Sequence, residues 1–404
     1  MALPARTQPL RNVGFRLSAE GTARILNFLL SVIGARILGA ARWGIYWTGF
    51  SWASVAVLAT DLGGHLTLSR AVARVPGNAR AALGISLSLK LVLSAAVFAV
   101  WALVGGFPGL PLSLQATLLG AALCLSFIEW LGFHLRGFGR VPAESLLLAA
   151  DCAAAFGAGV FALFRGCGPL GLAVSQLAAH GAVLAAAAGI LSRHPAFRPR
   201  LPSMARVRGF LRESAPTGLY LFASLGSWRL GIMWLAATPA FGAAAAGLFA
   251  ATHRILEAAR FFPAAAAAAL FPSFARPKPE EHPRRVLLAA LPPVIIGTML
   301  VSLPSFSGGV VRLLFGPAFV TAGPLLSVLA WAFPFMTVNW VLSHWLIARG
   351  REKANASLAV LQFIVHATSL FLLVPSHGAL GAASSLVISE ASFSVSAFVF
   401  LLFR

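Results

Sequence analysis

Apolar runs of about 20 residues follow one another along almost the whole chain, and this limits its fold more than any single motif. A helix of that length crosses the hydrocarbon core of a bilayer, whereas a tilted barrel strand needs only about 9 to 11 residues and alternates apolar with polar positions. The runs are too long for strands and do not alternate, so they predict an all-α polytopic membrane protein. Composition agrees: of 404 residues 59% are hydrophobic and 10% charged, against roughly 45–50% and about 25% in soluble domains. Spans are expected near residues 17–38, 44–66, 83–105, 113–135, 142–164, 169–191, 214–236, 243–271, 286–306, 323–347, 354–374 and 380–402. About 12 transmembrane helices result, which leaves little length for a soluble catalytic domain.

Lys and Arg outnumber Asp and Glu 31 to 11, a formal charge of +20. In a soluble chain this balance would suggest nucleic acid. Here the cations fall mainly between spans and form no groove interleaved with aromatics, which excludes nucleic acid as a partner. They suit loops lying on an anionic leaflet, at about 1 kcal/mol per residue. One set of loops and ends carries Arg6, Arg11 and Arg16, then Arg70, Arg74 and Arg80, Arg136 and Arg140, the basic stretch 192–213, Arg276 to Arg285, Arg349 to Lys353, and Arg404. The opposite loops carry Arg36, Arg42, Arg165 and Arg312. By the positive-inside rule both termini are expected in the cytoplasm, and the high Ala, Gly and Arg content fits a bacterial inner (plasma) membrane. Arg6, Arg11 and Arg16 precede the first span without an Ala-x-Ala exit, the pattern of an uncleaved signal anchor.

The basic stretch 192–213, with Pro195, Pro199 and Pro202, lies midway and reads as a cytoplasmic linker between six-helix bundles at 1–191 and 214–404. Two sequence echoes support the division. His134 to Arg140 (HLRGFGR) resembles His344 to Arg351 (HWLIARGR), and Gly168 to Ser175 (GPLGLAVS) resembles Gly378 to Ser385 (GALGAASS), both at an offset of about 210 residues. Two bundles running in the same direction, related by an axis along the membrane normal, follow from that repeat. Pro216, Pro263, Pro292, Pro293, Pro304, Pro324 and Pro334 fall inside expected spans and predict either ordinary kinks or a second half that bends during transport. Trp43, Trp47, Trp101, Trp234 and Trp345 lie near span ends and are expected to anchor them at the interface.

An ionisable group at the bilayer centre costs at least about 2.5 to 3.5 kcal/mol on insertion scales, so each one needs a partner or a wet cavity. On the first span Glu20, Arg24, Asn27 and Ser31 fall on one stripe at 100° per residue, the pattern of either a cavity wall or an extended ion pair. On the second, Asp61 and His65 stand one turn apart, where they could couple an ion; alternatively, Asp61 ends the helix and pairs with Arg70. The eighth carries His253, Arg254, Glu257 and Arg260 at i+3 and i+4 spacing, a ladder whose guanidinium groups can grip phosphate or serve as packing salt bridges. Arg229 and Lys90 have no acid within one turn and need tertiary partners; Glu129, Asp151 and Glu390 are the intramembrane acids available. Cys124, Cys152 and Cys167 lack CxxC spacing, so neither a disulfide framework nor a zinc site is indicated. No metal and no cofactor is expected. The chain has no HExxH, P-loop, GxSxG or kinase signature, so an enzyme is not expected either.

The segment Ala35 to Tyr46 (ARILGAARWGIY), followed by Thr60 to Gly63 (TDLG) and Arg70 to Arg74, resembles the opening of Wzx-type polysaccharide flippases of the multidrug/oligosaccharidyl-lipid/polysaccharide (MOP) exporter superfamily. Glu213 to Leu219 (ESAPTGL), Ala246 to Leu256 (AGLFAATHRIL), Leu270 to Ala275 (LFPSFA) and Leu313 to Phe319 (LLFGPAF) resemble that family's second half. The resemblance implies two six-helix bundles around a central cavity, as in the MATE-like fold. It also implies alternating-access transfer of a polyprenyl-diphosphate-linked oligosaccharide, such as a polysaccharide or O-antigen (lipopolysaccharide) repeat unit, across the cytoplasmic membrane. Other glycan-assembly membrane proteins are the implied partners. Arg24 and Arg254 stand where related lipid-linked peptidoglycan precursor flippases carry cavity cations, which makes these two the substrate contacts that the resemblance implies; the intramembrane Arg229 and Arg260 are further candidates to hold the diphosphate. The Arg-Asp pair of those relatives is absent, since Ile25 follows Arg24. Their two additional C-terminal helices also have no counterpart, which turns the expectation away from a peptidoglycan precursor. Three other functions stay open: a cation-coupled multidrug exporter of the same superfamily, a membrane-embedded glycan polymerase or ligase, and a scaffold subunit without transport.

Overall fold

The computed structural model describes residues 8–74, 79–107, 109–193, 204–260 and 283–402, all of which form helices and short turns. The helices are α1 (Gln8–Leu58), α2 (Gly64–Arg74), α3 (Ala79–Val104), α4 (Leu112–Gly137), α5 (Val141–Phe164), α6 (Gly168–Ser192), α7 (Met204–Ala237) and α8 (Gly242–Ala259). Then follow α9 (Pro283–Ser302), α10 (Pro304–Phe315), a 3-10 turn (Pro317–Ala322), α11 (Gly323–Ala330), α12 (Ala332–Ala348) and α13 (Glu352–Leu402). Among the described residues, seven helices are long and apolar enough to cross a membrane, and two bent pairs reach that standard together. Two of the seven, Ser18–Leu58 with 41 residues and Glu352–Phe400 with 49, are too long for one crossing of about 20 residues. They break at Gly39 (φ 72) and Gly378 (φ 55), so each is a pair of helices joined at a glycine that can take positive φ.

The chain divides into two compact units, one of Met1–Leu30 with Ala56–Gly218 and the other of Ser31–Val55 with Leu219–Arg404. The first packs Leu68, Val72, Leu83, Trp130, Leu131 and Phe210 into its core, and the second Ala223, Leu342, Leu346, Leu358, Phe393 and Ala397. Proline begins helices where its missing N–H costs nothing, in the first turns of α5, α6, α10 and α11.

The sequence echo has a backbone counterpart in each unit. After α4, Gly139 (φ 70) donates to Arg136 O at 2.8 Å and Arg140 N–H to Leu135 O at 2.9 Å. After α12, Gly350 (φ 70) donates to Ile347 O at 3.0 Å and Arg351 N–H to Leu346 O at 2.9 Å. Both are Schellman caps, built on a glycine in the left-handed region. The rings of Trp130 and His134 stack at 6.3 Å in the first unit, as those of Trp340 and His344 do at 5.1 Å in the second. Alanine at Gly139 or Gly350 is expected to lower stability by about 1 kcal/mol in each case, the cost of placing a Cβ in the left-handed region. Unfolding in detergent, followed by tryptophan fluorescence, checks this, and the two losses should match.

Several boundaries differ from the sequence expectation. The second span, expected over 44–66, stops at Leu58; Leu62 (φ 45) and Gly63 (φ 76) then turn the chain into the short helix α2. The span expected over 286–306 is broken at Leu303, with Ala290–Ser302 and Pro304–Phe315 bent by 80°. That expected over 323–347 bends by 42° between Pro317–Ala330 and Ala332–Ala348. Pro304 and Pro324 therefore start helices rather than kink continuous ones. Helix α7 begins at Met204, so Arg206, Arg208 and Arg212 ride on a helix and not on an irregular stretch. Pro195, Pro199, Pro202, Pro263, Arg276, Lys278 and the second part of the span expected over 243–271 lie outside the described residues. Trp43 and Trp47 are 2% and 5% exposed and belong to the core of the second unit, not to an interfacial belt.

Candidate functional site

In the second unit, helix α8 opens on the small residues Gly242 to Ala246 and places its polar residues about two to three turns further on. Arg254 and Glu257, at i and i+3, meet on its surface, where the Arg254 Nη1 hydrogen-bonds Glu257 Oε2. Arg254 Nε also donates to Ser31 Oγ at 3.0 Å. Arg229 reaches the same carboxylate from α7, with Nη1 at 3.2 Å from Glu257 Oε1. This is the tertiary partner that Arg229 lacks on its own helix. One carboxylate thus bridges two guanidinium groups, and all three side chains are 15 to 17% exposed.

Aromatic rings carry these cations. The Arg254 and Arg229 guanidinium carbons lie 4.9 and 5.6 Å from the Trp47 ring centre, and Arg229 lies 5.4 Å from that of Phe50. Arg260, one turn beyond Glu257, stacks on Trp228 at 3.9 Å and faces Trp340 at 5.5 Å. The face of an indole attracts a cation, most strongly where water is scarce. Glu257 between Arg229 and Arg254, and Glu390 within electrostatic reach of Arg260, set two carboxylates against three arginines, which leaves the cluster net positive. His253 has a different role from the one its spacing suggests: it is 1% exposed and wedged between Phe249 and Trp228, and so packs instead of extending the ladder. Trp47, Trp228 and Trp340 are the residues that sequence reasoning missed here. Their signal is weak, because only the rotation of each helix decides whether a tryptophan faces lipid or protein.

The first unit holds a second polar cluster. Asp61 lies in the turn before α2, with its carboxylate in contact with His65 Nδ1 and 3.5 Å from the His65 backbone N–H. Lys90, 2% exposed on α3, lies 3.7 Å from Asp61 Oδ1 and donates to Ser126 Oγ at 2.7 Å. The partner of Asp61 from another helix is therefore Lys90; the Arg70 side chain lies outside the described residues. Glu129 is within electrostatic reach of His65, Lys90, Asp61 and Asp151, and Asp151 Oδ1 pairs with His180 Nδ1 at 2.7 Å. A small cavity lined by Thr60, Asp61, Ser86, Lys90, Trp130 and Ser214 adjoins these groups. Arg136 and Glu144 form a further ion pair in this unit.

The stripe formed by Glu20, Arg24, Asn27 and Ser31 is shared between the units. Glu20, Arg24 and Asn27 belong to the first, in which Asn27 Nδ2 lies 3.8 Å from Cys152 Sγ, and Ser31 belongs to the second. Arg24 is exposed. Glu390, for which the sequence offers no partner, accepts from Asn339 Nδ2 at 2.7 Å, while Asn339 Oδ1 accepts from Ser394 at 2.6 Å. Among the described residues no group of three or more His, Cys, Asp or Glu is placed to hold a metal ion.

No curated protein matches the chain. Among solved structures, the chain is similar to an inward-facing MATE family multidrug resistance transporter of the MOP superfamily, with TM-score 0.73, 18% identity and coverage of 97% of this chain and 98% of that one. An outward-facing transporter of that description gives TM-score 0.67 and 17% identity over 98% and 95% of the two chains. The lipid II flippase MurJ in an inward closed conformation gives TM-score 0.76 and 12% identity over 96% and 87%. These likenesses fix the fold as that of a membrane transporter with two helical bundles. The sequence signature described as polysaccharide biosynthesis protein matches residues 10–278, well over half of the chain. The chain accordingly belongs to the polysaccharide biosynthesis protein family and has the fold of the MOP-superfamily exporters.

Proposed function

We propose that this membrane transporter is a flippase that moves a polyprenyl-diphosphate-linked oligosaccharide from the cytoplasmic to the outer leaflet of a bacterial inner membrane. The observation that carries the reading is the cluster of Arg229, Arg254 and Arg260, three guanidinium groups on tryptophan faces with the single carboxylate of Glu257 between two of them. An intramembrane cation is costly and needs compensation, and guanidinium groups bind phosphate oxygens bidentately. Excess positive charge in a transporter of a polysaccharide biosynthesis family suits a diphosphate head group. In this reading Arg24 is a further substrate contact, while Glu20, Asn27 and Ser31 meet the sugars. The bundles 1–191 and 214–404 rock about the linker 192–213 to give alternating access. Asp61 and His65, with Lys90 beside them, are the proposed ion-coupling group. Both termini stay in the cytoplasm.

The test is restoration of surface glycan in a flippase-deficient strain supplied with the cognate pathway. Wild type is compared with an Arg24→Ala plus Arg254→Ala variant at matched membrane expression. Restoration by wild type alone is the expected result. Equal restoration by both removes these residue roles. Failure of both favours the multidrug reading, which the carboxylates Asp61, Glu129 and Asp151 of the first unit would serve, or a scaffold role.

A further inference from the structure

Glu257 occupies the place that a phosphate group would take between Arg229 and Arg254. A carboxylate and a phosphate both present paired oxygens to a guanidinium fork, and Glu257 uses one oxygen for each arginine. The seat is not fully used. Arg229 Nη1 is near enough to Glu257 for Coulombic attraction, yet this buried atom has no hydrogen-bond partner. One neighbour shares that condition: Trp47 Nε1, on the ring that carries both arginines. Buried polar atoms are nearly always paired, and a further acceptor between the two arginines would account for these.

We infer that Glu257 is a resident counter-anion: it holds Arg229 and Arg254 when no cargo is present, gives way to the diphosphate when cargo arrives, and helps expel the cargo by returning. The inference rests on the flippase reading and adds the release step to it. Glu257 sits at the surface of α8 on a side chain with three rotatable bonds, so it can leave and return by rotamer change without moving the helix. A bare pair of arginines would bind a diphosphate tightly and release it slowly. An internal carboxylate weakens that binding by the energy of its own ion pairs, and Arg260, stacked on Trp228 one turn away, keeps the site attractive throughout.

The test uses the full chain in nanodiscs of neutral phosphatidylcholine, with farnesyl diphosphate as the probe and tryptophan fluorescence or calorimetry as the readout. Glu257→Gln is expected to bind the probe about tenfold tighter than wild type or more, since tenfold corresponds to about 1.4 kcal/mol of lost competition. The same variant should restore less surface glycan than wild type in the flippase-deficient strain. Farnesol should gain nothing from the substitution. Equal or weaker binding of farnesyl diphosphate by Glu257→Gln overturns the inference and leaves Glu257 a strut, with the cationic site intact because wild type still binds. An equal gain for farnesol also overturns it. Absence of binding by folded wild type and variant alike overturns the anion site itself. Should Glu257→Gln not fold, Glu257→Asp, too short to reach both arginines, takes its place: several-fold tighter binding supports displacement, and unchanged or weaker binding overturns it.

Discussion

Leucine in place of Gly44 is expected to prevent this protein from reaching its folded state in the membrane, and alanine there to cost about 3 kcal/mol or more. Gly44, beyond the Gly39 break in α1, crosses Gly247 of α8 with no space for a side chain. A Cβ on Gly44 would fall on the carbonyl oxygen of Ala243, with the carbonyl carbon at 2.7 Å and Gly247 N at 2.8 Å. A Cβ on Gly247 would meet Ala40 O in the same way, with Gly44 N at 2.9 Å. All of these are backbone atoms, which cannot rotate aside as a side-chain tip can. Ala40 and Gly44 on one helix therefore face Ala243 and Gly247 on the other, a reciprocal small-xxx-small crossing. In lipid, where burial of apolar surface gives no advantage over the acyl chains, such close approach supplies the dispersion energy that holds helices together. Gly21 is the control: it lies in α1 with nothing within 4 Å of its Cβ position, so Gly21→Ala should be neutral or stabilise by about 0.5 to 1 kcal/mol. Thermal unfolding in detergent separates the cases. A Gly44→Ala protein as stable as Gly21→Ala would mean that the crossing does not exist. The Gly44→Ala and Gly247→Ala losses should not add, because they open the same contact.

This crossing also illustrates what a sequence of this kind conceals. Helical spans are legible because the bilayer sets their length and their backbone must satisfy its own hydrogen bonds, so the apolar runs mark nearly all of the helices. The turn at residues 59–63 is legible only in part: Thr60, Asp61, Gly63 and Gly64 break the apolar run, but Leu58, Ala59 and Leu62 continue it, and Asp61 reads equally as a helix end or as a polar group inside a span. Pro304 announces a bend, but the 80° angle depends on packing in three dimensions. The repeat was readable because a Schellman cap demands glycine at one position, and Gly139 and Gly350 stand where the two echoes align. In the candidate site, intrahelical spacing gave the Arg254 and Glu257 pair at once. The third member, Arg229, comes from another helix, and no local pattern connects it to Glu257. Trp43 and Trp47 were misplaced for a related reason: position near a span end says how deep a ring lies in the bilayer, not which side of the helix it occupies.

The same distinction between local and tertiary pairing governs Lys90, whose loss should be the costliest single change in the first unit. Lys90→Met keeps the length of the side chain and removes its charge. Asp61, whose carboxylate lies 3.7 Å from the ammonium group, and Glu129, also within its reach, would then share a mostly apolar interior with one fewer cation. Breaking a buried ion pair from one side costs about 3 to 5 kcal/mol, because the remaining charge keeps its desolvation penalty without its attraction. Removing both charges is a different matter, since neutral side chains of similar shape often replace a buried pair at little cost. Asp61→Asn added to Lys90→Met should therefore recover a large part of the loss, with a coupling energy of about 1 to 3 kcal/mol in a double-mutant cycle. Unfolding of the four proteins in detergent measures it. Coupling near zero would show that Lys90 answers to Glu129 and not to Asp61, and an Asp61→Asn single variant as stable as wild type would point the same way. Strong coupling would give Asp61 two partners, Lys90 across the interior and His65 one turn along, so that any ion it takes up must compete with a fixed ammonium group. That competition would make the turn at Asp61 a place where charge is exchanged without leaving a carboxylate unpaired, which is the property the proposed ion-coupling group needs in a membrane interior.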